Sequence, residues 1–124
     1  MRNANLTYSY TFNNLDATYA LNVAFTPAAG KINAQGWAKE DFYVTITATD
    51  NSGHGIKEMH ICTSLTDTCN PDSGTVVADT TASRLISIES NNNRICVKAI
   101  DNTNVDSGVV CSDAYKLDKT APTV

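Results

Sequence analysis

The residues richest in chemistry in this chain are its four cysteines, Cys62, Cys69, Cys96 and Cys111. Two chemistries use such a set: disulfide formation and metal ligation. Zinc sites draw on close pairs such as C-x2-C, because two thiolates must reach one ion from a single turn. Here the spacings are Cys62-x6-Cys69 and Cys96-x14-Cys111, which match no common zinc pattern. An even count in a short, Thr- and Asn-rich chain points to disulfides and an oxidising compartment. Four cysteines allow three pairings, and the count alone does not choose among them.

Other side chains invite chemistry more weakly. Asp50, Asp101 and Asp118 stand at the ends of apolar runs. Grouped at one end of a domain, they would offer oxygen ligands to calcium. The preferred reading is that they bond their own backbone in turns, since no spaced Asp-x-Asp-x-Asp loop is present. His54 and His60 lack the nucleophile context that catalysis requires. Trp37 before a strand reads as a packing residue rather than a stacking platform. Lys98, the obvious strand lysine, is expected to face outward, which argues against an intramolecular lysine–asparagine bond. No catalytic residue and no cofactor are expected.

The elements that must position these residues are strands. Phe42, Val44, Ile46 and Ala48 alternate with Tyr43, Thr45, Thr47 and Thr49. Strict alternation describes a strand with one buried face and one wet face. Asp50-Asn51-Ser52-Gly53 closes it with a turn signal. Further strands are expected at 56–63, 75–78 (short, at an edge), 84–88, 94–100 and 105–115. Asn91-Asn92-Asn93 and Asp101-Asn102-Thr103-Asn104 are expected turns. No segment has a capped period near 3.6. Short strands punctuated about every ten residues suggest a sandwich.

Strand register ties the cysteines to the fold. With Cys96 opposite Cys111, Val97 faces Val110 and Ala99 faces Gly108. Ile95, Val97 and Ala99 then line the core, while Cys96, Lys98 and Cys111 point outward. The apolar pattern and the pairing choose one register, and a non-hydrogen-bonded pair brings the Cβ atoms close enough for a bridge. Cys62 and Cys69 are placed for a second bridge across the loop 63–68, with Met59 and Ile61 inward and Cys62 outward. The expected fold is all-β: an immunoglobulin-like antiparallel β-sandwich with two local disulfides.

The chain has 124 residues and a net charge of −4. The length suits one domain. The acidic balance disfavours phosphate backbones, so no nucleic-acid role is expected. No apolar run approaches the roughly 18 residues of a membrane span, and no direct membrane insertion is expected. The first twenty residues lack the basic and apolar regions of a signal peptide. Leu-Asp-x-Thr occurs at Leu15 and again at Leu117, an offset of 102 residues. That is about the size of an immunoglobulin-type unit. The organisation expected is 1–19 as the tail of a preceding repeat or linker, 20–118 as the module, and 119–124 as a linker onward.

Three segments carry a resemblance to a known family: Gly36-Trp37 followed by Val44-Thr45-Ile46-Thr47-Ala48-Thr49-Asp50-Asn51-Ser52-Gly53; Cys96-Val97-Lys98-Ala99-Ile100-Asp101-Asn102; and Tyr115-Lys116-Leu117-Asp118-Lys119-Thr120-Ala121-Pro122-Thr123. From about Val23 to Val124 the chain resembles the bacterial immunoglobulin-like (Big-type) tandem repeats of secreted and cell-surface proteins. The turn 101–104 departs from that pattern, in which a glycine is common. The resemblance implies a non-catalytic spacer or adhesive repeat, located extracellularly, on the cell surface or in the cell wall. Implied partners are neighbouring repeats in the same chain and a host protein or glycan. Two other functions are a ligand-binding module for carbohydrate or host protein and an accessory domain of a secreted glycan-degrading enzyme.

Overall fold

The computed structural model describes residues 21–120. Of the expected linker segments, all of 1–19 and residues 121–124 of 119–124 lie outside the described residues. Among the described residues nine strands occur: β1 (Leu21–Pro27), β2 (Trp37–Ala38), β3 (Phe42–Asp50), β4 (Ile56–Ser64), β5 (Thr75–Val77), β6 (Thr81–Ile86), β7 (Ser90–Asp101), β8 (Val110–Cys111) and β9 (Tyr115–Leu117). One 3₁₀ turn spans Pro71–Ser73, and no α-helix occurs among the described residues. The strands form a three-stranded sheet, β1-β3-β6, and a larger sheet, β2-β9-β7-β4-β5, with β8 also pairing β7. Packed face to face, they make an immunoglobulin-like β-sandwich.

The alternation read from the sequence builds the core. Phe42, Val44, Ile46 and Ala48 of β3 are buried, and they face Met59 and Ile61 of β4 and Ile95, Val97 and Ala99 of β7. Leu117 and Tyr115 of β9 close one end, where the Phe42 and Tyr115 rings meet edge to face at 5.8 Å. Each fully buried large aliphatic side chain contributes about 1.5–3 kcal/mol. The outward threonines of β3 belong to the wet face of the same strand.

Four expectations change. First, β1 was not anticipated; it pairs with β3 along its whole length, from Leu21 opposite Asp50 to Pro27 opposite Val44. Second, the strand expected at 84–88 lies at Thr81–Ile86, because pairing with β3 extends back to Thr81. Third, Asn91–Asn93 is not a turn but lies within β7. The buried Asn93 donates from Nδ2 to the carbonyls of Ile88 and Tyr115, bridging the irregular stretch of the β7–β9 ladder.

Fourth, the strand expected at 105–115 is broken into β8 and β9. The Ala99 amide donates to the Ser107 hydroxyl and the Ser107 amide to the Ala99 carbonyl. Ser112 likewise accepts from the Ile95 amide through its hydroxyl and donates to the Ile95 carbonyl. At both points a serine side chain takes the place of a ladder carbonyl, which lets the chain leave the strand. Ala99 therefore meets Ser107 rather than Gly108.

Candidate functional site

Three of the four cysteines form one row across the outer face of the larger sheet, and Cys69 lies in the loop after β4. Cys111 lies opposite Cys96, and Cys96 lies opposite Cys62 on the next strand. The bridges are Cys62–Cys69 and Cys96–Cys111, and no cysteine is free. Register explains the choice. The Ser112 amide donates to the Ile95 carbonyl, so Cys96 and Cys111 form a non-hydrogen-bonded pair, the geometry with the closer side chains. The backbone of Cys96 then points toward β4, which makes Cys96 and Cys62 the wider, hydrogen-bonded kind of pair. Cys62 is left to join Cys69 across its own loop.

That loop lies over the second bridge. Thr68 Oγ1 is 3.7 Å from Cys111 Sγ and 4.0 Å from Cys96 Sγ, and Cys96 is buried although it faces outward. Beyond Cys69 the chain enters the 3₁₀ turn, with the Asn70 side chain accepting from the Asp72 amide and Pro71 buried. Gly74 then passes so close to β4 that a Cβ there would collide with the Ile61 carbonyl. The turn delivers Asp72 to Lys98, with Nζ to Oδ2 at 2.7 Å, and to His60, with Nδ1 to Oδ1 at 2.9 Å. His60 also contacts Glu58 through Nε2. The hydrogen bond from Lys98, and secondarily that from His60, holds the Asp72 carboxyl below its ordinary range. Lys98 faces outward, as the register requires, and this ion-pair chain was not read from the sequence.

The three aspartates separate. Asp101 ends β7, Asp50 ends β3, and both lie at one pole of the sandwich. Asp118 follows β9, which pairs with the opposite, starting end of β7; there it accepts from the Thr120 amide. At the shared pole, Asp101 Oδ1 accepts from the Thr103 hydroxyl and from the Thr103 and Val105 amides. Burial opposes ionisation of Asp101, yet these bonds hold its carboxyl below the ordinary range. Asn104 takes the left-handed conformation, φ 66°, filling the role a glycine plays in such a turn. Asn102 clamps the neighbouring loop through its amide to the Gly55 carbonyl and its side chain to the His54 carbonyl.

The clamp brings His54 into unexpected company. Ser52 Oγ lies 2.9 Å from His54 Nδ1, and Asp101 Oδ2 lies 3.7 Å from the same nitrogen. A catalytic triad needs the serine on one ring nitrogen and the carboxylate on the other. Here both approach Nδ1, and the Ser52 hydroxyl donates to Asp50 Oδ1 at 2.6 Å. The trio thus lacks the arrangement that activates a serine.

At the other pole Trp37 is only partly buried, and Lys116 Nζ sits 5.7 Å from its ring centroid. It lines a groove of about 640 Å³ with Lys31, Asn33 and Asp118. Tyr43 is exposed and Tyr115 buried; Tyr8, Tyr10 and Tyr19 lie outside the described residues.

Fold and bridges together define an immunoglobulin-like β-sandwich stapled by two local disulfides. No family model matches the chain, and no curated protein matches it. Among solved structures it is similar to the fibronectin(III)-like modules of Clostridium thermocellum CbhA, at 18% identity, over 84% of this chain and 52% of that one, with a TM-score of 0.48. The chain spans about half the length of that structure.

Proposed function

We propose that this chain is a structural repeat of the bacterial immunoglobulin-like kind, a non-catalytic spacer or adhesive module of an extracellular or cell-wall protein. The observation that carries the reading is the pair of disulfides on one outer face. Bridges between neighbouring strands and across a surface loop leave the packed core unchanged. They tie β8 to β7, and the loop after β4 to its strand, against opening by a protease or a pulling force. Oxidised cysteines also suit an extracellular location. The composition of the Leu117-Asp118-Lys119-Thr120-Ala121-Pro122-Thr123 segment suits a junction with a following repeat, because a proline favours extended backbone before it and restricts its own.

Single-molecule pulling tests the hardened-module reading. The bridges enclose sequence separations of 7 and 15 residues. At 3.3–3.6 Å per residue, the oxidised module should release about 70 Å less chain on unfolding than the reduced one. Equal unfolding lengths and equal protease resistance in the two states would overturn the reading. A second reading, a carbohydrate-binding module, draws on the partly exposed Trp37 in its groove. Binding on a glycan array that is lost in Trp37→Ala would favour it.

A further inference from the structure

The pole built by Asp50, His54 and Asp101 has unspent ligand capacity. One carboxylate oxygen from each aspartate and a ring nitrogen of His54 lie within 4.8 Å of one another. In each carboxylate the turn uses one oxygen. Asp50 Oδ1 accepts from the amide and hydroxyl of Ser52, and Asp101 Oδ1 accepts its three bonds from Thr103 and Val105. The other oxygens remain. Asp50 Oδ2 is buried and accepts no hydrogen bond among the described residues. The Asp101 side chain is 3% exposed, and its Oδ2 lies 3.7 Å from His54 Nδ1. No lysine or arginine among the described residues forms an ion pair with either aspartate. A buried carboxylate oxygen without a donor, beside a second buried aspartate, is costly without a cation.

We propose that Asp50, His54 and Asp101 bind a divalent transition-metal ion of the zinc class, with water completing the coordination. Two carboxylate oxygens and one imidazole nitrogen form a ligand set suited to such an ion, whereas calcium takes oxygen ligands only. Zinc bonds of about 2.0–2.2 Å place any two ligands of one ion within about 4.4 Å. The His54–Asp101 pair meets this limit as it stands. His54, whose side chain is 54% exposed, is free to adjust. When Nδ1 gives its lone pair to the metal, its proton shifts to Nε2, and Ser52 keeps donating to Asp50 Oδ1. The bond between His54 Nδ1 and Ser52 Oγ is given up to the metal, while the bonds accepted by Asp50 Oδ1 and Asp101 Oδ1 are kept.

The test is calorimetric titration of untagged, oxidised, chelator-treated protein with zinc chloride. Asp50→Asn and His54→Ala are compared with His60→Ala, and the fold of each is checked by circular dichroism. Asp50→Asn keeps the Oδ1 acceptor that Ser52 needs. Expected are one saturable site per chain, a loss of affinity of at least about tenfold in both pole variants, and wild-type affinity in His60→Ala. Millimolar calcium should not displace the zinc. The proposal is overturned by no saturable zinc binding, by undiminished binding in the two pole variants, by loss of binding in His60→Ala, or by displacement with calcium.

Discussion

The two sheets share one core but hold their strands by different means. In the three-stranded sheet, β3 sits between β1 and β6 and pairs continuously with both, from Leu21 to Pro27 on one side and from Thr81 to Ile86 on the other. No bridge crosses it. In the larger sheet, β7 meets two short partners along one edge, β8 and β9, with the ladder interrupted at Ser107 and Ser112. On its other side β4 ends at the three-residue β5. Both disulfides fall in this sheet. Covalent links thus stand where the backbone ladder is short, and an unbroken ladder is left alone.

Removing the links should have the largest effect. In the chain-entropy model, closing loops of these sizes contributes about 2–3 kcal/mol each. Replacing all four cysteines with alanine should therefore cost about 5 kcal/mol in urea unfolding, a large share of a typical domain's stability. A loss near zero would break the comparison.

A smaller effect is expected where the stapled loop returns to the sheet. Gly74→Ala puts a methyl group against the Ile61 carbonyl, and overpacking of this kind costs about 1–3 kcal/mol. Because the contact is with backbone, relief requires β5 to move off β4. An unchanged unfolding midpoint would mean that this turn is not packed as described.

The smallest effect is electrostatic. The folded-state pKa of Asp72 lies below its ordinary value because Lys98, then His60, bonds the carboxylate. Such a group stabilises the fold above its unfolded pKa of about 3.9 and loses that contribution as pH falls through the lower folded value. The Lys98 pKa is raised by the same bond, so its share is present below about pH 10.4 and is lost as pH rises through the folded value. Asp72→Asn should flatten both limbs of a stability–pH profile by lowering its neutral plateau slightly, as expected for an exposed pair, and leave the acid and alkaline extremes unchanged. An unaltered acid limb would remove the ion pair from the account.

Much of this was written in local pattern. The alternation in Phe42–Asp50 named the core face of β3 residue by residue, and the register of Cys96 with Cys111 placed Ile95, Val97 and Ala99 inward. β1 was equally legible, since Leu21, Val23 and Phe25 alternate with Asn22, Ala24 and Thr26; its terminal Pro27 suits an edge strand. The break between β8 and β9 was not, because it depends on which carbonyl positions the Ser107 and Ser112 hydroxyls occupy. Nor was the pole. Asp50 and Asp101 are far apart in sequence, and His54 reaches Asp101 only because Asn102 holds its loop. Asp118 was grouped with them because it too ends an apolar run, and β9 carries it to the other end.

The comparison is tested most directly by hydrogen exchange on the Cys96→Ala/Cys111→Ala variant, read amide by amide against the wild type under native conditions. The account predicts faster exchange at the β7–β8 edge, around Val110, Cys111 and Ser112, with β1, β3 and β6 slowed or hastened only by the change in global stability. The largest acceleration falling in the β1-β3-β6 sheet, with the β8 edge as protected as before, would contradict it.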